Sequence, residues 1–274
     1  MAIERKKLAR VGIRRLDLKK TLFVLPNLIT LSSIFCGFDS IRISARAETA
    51  DDYYRAALLL VFAMFFDMLD GRVARMTKTQ SAFGLQIDSL ADVVSFGVAP
   101  SLLVYNWSLH SLGNAGLFIA FLFTAAGAVR LARFNVLSMN EAGQPAKPSK
   151  YIVGLPIPGA AGILISIVVA NHAASTNLGA PRHAWMIAGV TLALGFFMVS
   201  TIKFRSFKEI KLNARTLAFV ALIIGSSIVV SMKSGPAFVL VWLLGCYIMM
   251  GISETTFHLV RRFTRPQRDS IPPS

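Results

Sequence analysis

Two strings decide the fold: Asp67-Met68-Leu69-Asp70-Gly71-Arg72-Val73-Ala74-Arg75, and Gly84-Leu85-Gln86-Ile87-Asp88-Ser89-Leu90-Ala91-Asp92. Both place aspartates inside apolar stretches. On helices, residues 67, 70, 71 and 74 share one face, because they are three or four apart, and so do 84, 88 and 92. A carboxylate inside a membrane helix costs at least ~2.5–3.5 kcal/mol, and four close together repel. A chain that keeps them must neutralise them. Oxygen-only ligands suit hard cations, so the strings predict two divalent ions, Mg²⁺ or Mn²⁺, held by Asp67, Asp70, Asp88 and Asp92.

The surroundings agree with a membrane setting. Hydrophobic residues make up 54% of the 274, and charged residues only 16%, against ~25% in soluble domains. The net charge of +15 would suggest nucleic acid in a soluble protein. Here the basic residues fall in short loops between apolar runs, so topology accounts for them and no nucleic acid is expected. Cys36 and Cys246 lie in apolar segments, without disulfide or zinc spacing.

Outward from the aspartates, about eight stretches are long enough to cross a bilayer as helices: 22–43, 54–75, 83–106, 115–137, 153–172, 184–203, 215–233 and 236–258. The expected fold is all-α, a polytopic membrane helix bundle with both termini cytoplasmic. With that orientation, only Arg42, Arg46, Arg55, Arg182 and Lys233 of the 29 basic residues fall off the cytoplasmic side. The aspartates then lie at the cytoplasmic mouths of the second and third helices. Three segments are expected: a basic juxtamembrane stretch 1–21, a membrane domain 22–260, and a basic cytoplasmic tail 261–274. The first is expected to lie as a basic helix on the anionic inner leaflet. Its apolar continuation is too long for a secretory signal.

The residues around the aspartates suggest the chemistry. Gly71 and Gly84 leave room for something bulky to approach the backbone, a reason to tolerate glycine in a helix at ~1 kcal/mol. Arg75 lies ~12 Å along the helix from Asp67, at 1.5 Å per residue, placed to meet an anion. Guanidinium suits phosphate, so the set points to a diphosphate ligand. A spare carboxylate can take a proton from an attacking hydroxyl. Transport of a cation or proton is the alternative reading of intramembrane carboxylates. It leaves the Gly-x-x-Ala-Arg insertion unexplained.

The pattern Asp67-x2-Asp70-Gly71-x2-Ala74-Arg75-x8-Gly84-x3-Asp88-x3-Asp92 resembles the signature of the CDP-alcohol phosphotransferase family at every defined position. The resemblance implies two divalent ions on the four aspartates and Asp92 as general base. It implies that Asp70, Gly71, Ala74, Arg75 and Gly84 line the cytidine diphosphate site, and that Asn27 and Thr30 reach the nucleotide or its phosphate. Pro26-Asn27 also reads as an ordinary helix opening. Further strings are similar to the bacterial membrane-integral branch that makes phosphatidylserine: Leu25-Pro26-Asn27-Leu28-Ile29-Thr30, Ser95-Phe96-Gly97-Val98-Ala99-Pro100, Ala132-Arg133-Phe134-Asn135 and Gly154-Leu155-Pro156-Ile157-Pro158. The implied reaction joins CDP-diacylglycerol to L-serine with release of CMP, in an inner-membrane homodimer. Glycerol 3-phosphate, an inositol phosphate or choline as acceptor, or an ether-lipid donor, are the alternatives within the family.

Serine carries a carboxylate, so its site needs a cation. Arg133 with Asn135 is the first choice, with Arg130, Lys150 and Tyr151 as further candidates. Asp39 and Arg42 are expected to pair within one helix. His110, His172, His183 and His258 lie near helix ends without ligand spacing. Gly159-Ala160-Ala161-Gly162 offers a small-residue face for close helix packing.

Overall fold

The computed structural model describes residues 18–79, 81–138 and 151–205, together with 222, 225–232, 238–239, 242–243 and 245–246. The basic segment expected to lie on the membrane, most of the seventh and eighth expected spans, the tail, Lys150 and the side chain of Tyr151 lie outside the described residues.

Each of the first six expected spans has a helical counterpart. Helix α1 (Leu18–Ala45) and α2 (Ala50–Thr77) come first, then α3 (Ala82–Asp92), a π-helical segment (Val93–Val98) and α4 (Ala99–Trp107). A short 3₁₀ turn leads to α5 (Asn114–Ser138). Strand β1 (Tyr151–Val153), α6 (Ile157–Ala173), another 3₁₀ turn, α7 (Ala184–Val199) and β2 (Lys203–Arg205) follow. Among the described residues, four stretches are long and apolar enough to cross a membrane: Val24–Ala45, Ala82–Trp107, Asn114–Leu137 and Pro181–Val199. Helix α6, with 17 residues, is shorter. Helix α2 is long, but Arg55 near one end and Asp67, Asp70, Arg72 and Arg75 toward the other interrupt its apolar run.

Three details depart from expectation. Pro26 is no helix opening: it lies inside α1, which starts at Leu18. The span at 83–106 is two α-helices joined by a π turn. The all-α bundle also carries one small antiparallel pairing, with Tyr151 opposite Arg205 and Val153 opposite Lys203. Gly154, at φ +79°, bends the chain after β1, and Pro156 keeps it extended, so α6 begins at Ile157.

Among the described elements, helices α1 and α2 make the most extensive pairing. Ser33, Gly37, Ser40 and Ser44 form one face of α1, and Ala56, Leu60 and Ala63 one face of α2. Such small residues let backbones approach when lipid supplies no hydrophobic drive. Hydroxyls then bridge the seam: Ser33 donates to the Ala63 carbonyl at 3.1 Å and Ser40 to the Ala56 carbonyl at 2.8 Å. The Gly159–Gly162 face is also used, with Ala160, Ala161 and Gly162 buried in α6, which packs on α2. Phe96, Leu103, Phe123, Leu164, Ile187 and Met198 fill the centre. The opposite faces expose Leu28, Leu31, Phe35 and Phe38 on α1, and Phe118 and Phe121 on α5. Apolar surface of this extent is incompatible with a soluble monomer and suits contact with lipid.

The turn after α2 brings the two aspartate strings together. Lys78 takes the left-handed conformation at φ +54°. Its N–H reaches the Arg75 carbonyl and that of Thr79 reaches Ala74, a Schellman closure of α2. Ser81 then caps α3, accepting from the Gly84 N–H at 3.0 Å.

Candidate active site

Asp67 and Asp70 come from α2, and Asp88 from α3. Each offers one carboxylate oxygen, and the three oxygens lie within 4.8 Å of one another. Asp92, one turn beyond Asp88, stands outside that trio but close to the Asp67 carboxyl. Its Oδ1 is buried with no hydrogen-bond partner. An orphaned carboxylate oxygen beside three converging ones is costly unless a cation completes it. The donor set is all oxygen and anionic, and it fits a hard divalent ion.

Helix α1 serves the cluster from the side. The Thr30 hydroxyl lies 2.5 Å from Asp70 Oδ2 and 3.0 Å from the Pro26 carbonyl. Its one proton goes to the carboxylate, the stronger acceptor. Thr30 and Asp70 are each only 4% exposed, so this bond is shielded from water. Asn27 sits one turn earlier, and its Oδ1 is 3.6 Å from where a side chain on Gly84 would begin. Arg75 curls back along α2 until Nη1 is 3.5 Å from the corresponding point on Gly71. Asn27, Thr30, Asp70, Gly71, Arg75 and Gly84 therefore share one end of the α1–α2–α3 bundle, with Ala74 on the same face of α2.

The candidate acceptor residues divide. The Arg133 guanidinium donates to the carbonyls of Val199 at 3.0 Å, Val153 at 3.3 Å and Ser200 at 3.1 Å. It ties the end of α5 to β1 and to the end of α7. Asn135 donates to the Ser89 hydroxyl at 2.9 Å, bracing α3 next to Asp88. Arg130 is the arginine within electrostatic reach of Asp92. It is 7% exposed and lies 5.4 Å over the Phe134 ring. Ser81 was not singled out from sequence, although a serine three residues before Gly84 is a legible cap.

Elsewhere, Arg42 pairs with Asp39 at 2.6 Å, as the spacing suggested. His172 stacks on Tyr54 with ring centroids 4.2 Å apart. Cys36 and Cys246 are free thiols.

A family model for CDP-alcohol phosphatidyltransferase matches residues 23–199, from α1 through α7. The chain belongs to the CDP-alcohol phosphatidyltransferase family. Relatives within it are similar over long stretches. A Helicobacter pylori (strain J99) CDP-diacylglycerol–serine O-phosphatidyltransferase is 36% identical over 240 residues, covering 88% of this chain and 94% of that protein. A Bacillus subtilis protein of the same name is 31% identical over 185 residues, 68% of this chain and 92% of that one. One from Methanocaldococcus jannaschii is 37% identical over 146 residues, 53% and 61%. For this phosphatidyltransferase, the matched region contains both aspartate strings and all the helices that bring them together.

Proposed function

We propose that this phosphatidyltransferase moves the phosphatidyl group of CDP-diacylglycerol onto the hydroxyl of L-serine, giving phosphatidylserine and CMP. The observation that carries this reading is the convergence of Asp67, Asp70 and Asp88 within 4.8 Å, with buried Asp92 alongside. The names of the relatives support serine as acceptor.

Asp67, Asp70, Asp88 and Asp92 would hold two Mg²⁺ or Mn²⁺ ions, which supply charge neutralisation for the diphosphate and for the leaving phosphate. Thr30 keeps Asp70 aimed at the site. Arg75 steadies the diphosphate from the rim, with the charge and planarity phosphate recognition needs. Gly71, Ala74 and Gly84 leave space for the cytidine end, and Asn27 offers it an amide. Asp92 takes the serine hydroxyl proton as that oxygen attacks the lipid-side phosphorus. The new P–O bond forms while the bond to the bridging diphosphate oxygen breaks, and CMP departs with that oxygen. Arg130, not Arg133, meets the serine carboxylate in this reading, because Arg133 is committed to three carbonyls. An apolar groove of about 420 Å³, lined by Leu28, Leu31, Ser32, Phe35, Cys36 and Phe66, would take an acyl chain. Leu31 and Phe66 stand next to Thr30 and Asp67, so the groove begins where the headgroup chemistry ends. The basic bias of the loops supports a cytoplasm-facing site in a bacterial inner membrane. Family resemblance supports a homodimer.

The test is CMP release by purified protein with CDP-diacylglycerol and Mn²⁺, offered serine, glycerol 3-phosphate and inositol phosphate in turn. Serine alone should support turnover, and Asp92→Asn should abolish it in a protein that still folds. Turnover of Asp92→Asn at the normal rate removes Asp92 as base. Release driven by another acceptor reassigns the substrate. Ion flux in vesicles without CMP release would return the carboxylates to transport.

A further inference from the structure

Between Asp92 and Ala99 the helix abandons α geometry. The Ala99 N–H bonds the Val94 carbonyl, five residues back. Such a turn carries one residue more than an α turn, and π turns recur at functional sites. Its consequence here is rotational. Gly84 and Leu103 are nineteen residues apart, as are Asp88 and Trp107. An unbroken α-helix turns about 100° per residue, so each pair would face directions about 100° apart. One inserted residue cancels that offset to within tens of degrees. The aspartate end and the core end (Leu103 fully buried, Trp107 7% exposed) can then face the α1–α2 side together.

Hydroxyls pin this turn from two sides. On one, Ser95 donates to the Ser33 carbonyl of α1 at 3.1 Å, and Ser33 in turn donates to Ala63 of α2 at 3.1 Å. Helix α1 fits so closely that a side chain on Gly37 would start 3.0 Å from Ser95 Cα. On the other, the Thr124 hydroxyl of α5 lies 3.2 Å from the Gly97 carbonyl and 2.9 Å from the Ser101 hydroxyl. Either hydroxyl can donate in the Ser101–Thr124 contact, and the Thr124 hydroxyl donates to the Gly97 carbonyl when Ser101 supplies the proton between them. Ser95 is 0% exposed. These bonds link the turn directly to α1 and α5, and through Ser33 to α2.

We infer that the π turn, pinned by Thr124 and Ser95, sets the rotation of Asp88 and Asp92 toward Asp67 and Asp70, and that these two hydroxyls are positioning residues for the carboxylate site. This rests on the reading of the four aspartates as metal ligands. Without the pins, the turn relaxes toward α geometry and the α3 carboxylates swing out of register with those on α2.

The experiment uses full-length protein in lipid nanodiscs. Two quantities are titrated with Mn²⁺: the rise in thermal midpoint without substrate, and CMP release. Thr124→Val and Ser95→Ala should each need about 10-fold more Mn²⁺ in both, the low end for outer partners of metal ligands. Thr124→Ser should restore the normal requirement. Ser166→Ala is the control, because Ser166 makes the same kind of buried bond, to Ile163 at 2.8 Å, away from the turn. A normal Mn²⁺ requirement in Thr124→Val and Ser95→Ala overturns the inference, as does an equal change in Ser166→Ala. If one variant does not fold, the other reads the turn from the opposite side. Asp92→Asn separates the two levels. An inactive Asp92→Asn with metal-normal Thr124→Val sinks the π-turn role alone. An active Asp92→Asn removes the general base and leaves the metal shift to be judged on its own.

Discussion

Gly71→Ala is expected to make the protein more stable and far less active. A Cβ placed on Gly71 would lie 3.5 Å from Arg75 Nη1, 3.9 Å from Nη2 and 4.0 Å from Cζ. These are ordinary contact distances to the end of a flexible, exposed side chain, so the fold accommodates the methyl group without strain. Position 71 is inside α2, where alanine is favoured over glycine by ~1 kcal/mol. That corresponds to a rise in thermal midpoint of about 2–4 °C for a chain of this size. The same methyl projects on the face shared by Asp67, Asp70 and Ala74, where the donor's cytidine diphosphate is proposed to lie against the backbone. Pushing a reacting group ~1 Å out of place costs about 100-fold, so kcat/KM for CDP-diacylglycerol should fall by roughly that factor. The assay pairs the thermal midpoint in nanodiscs, without substrate, with CMP release across donor concentrations. Normal turnover in a stabilised variant would refute the claim that Gly71 is there to leave room for substrate. A lowered midpoint would refute the packing argument itself.

Two further outcomes follow from the arginine and glycine contacts. Arg133→Ala should leave three carbonyls short of a donor and lower stability by about 1–3 kcal/mol with KM for serine unchanged, whereas Arg130→Ala should raise that KM at least ~10-fold; the opposite assignment of effects would return Arg133 to the acceptor site. Gly154→Ala should cost at least ~2 kcal/mol, because φ is +79° and a Cβ there would run into the Met198 carbonyl oxygen; an unchanged thermal midpoint would show that the β1–α6 junction can rearrange freely.

Much of the site was legible because its chemistry is carried by local spacing. Asp67, Asp70, Gly71 and Ala74 are neighbours on any α-helix, as are Gly84 and Asp88. The cost of carboxylates in lipid marks them as a candidate site without coordinates. Asp39 with Arg42 is local in the same way, and so is the small-residue face at Gly159–Gly162. The acceptor side was harder. Arg130 and Arg133 lie three apart in one basic, apolar helix, and nothing in that helix says which one faces inward. The answer depends on carbonyls at Val153, Val199 and Ser200, far along the chain. The π turn was invisible for a related reason. Val93–Val98 is an unremarkable apolar run, and its extra residue is stabilised by Ser33 and Thr124 from other helices.

The amino-acid order alone therefore determined a helical membrane protein with four aspartates on two helix faces, because helix periodicity and the cost of burying charge act within a few residues. Tertiary structure alone decided which arginine comes within electrostatic reach of Asp92, how Thr30 holds Asp70, and how a π turn rotates α3 into register. Those outcomes depend on hydrogen bonds and close packing between helices distant in sequence, and such contacts exist only once the bundle has assembled.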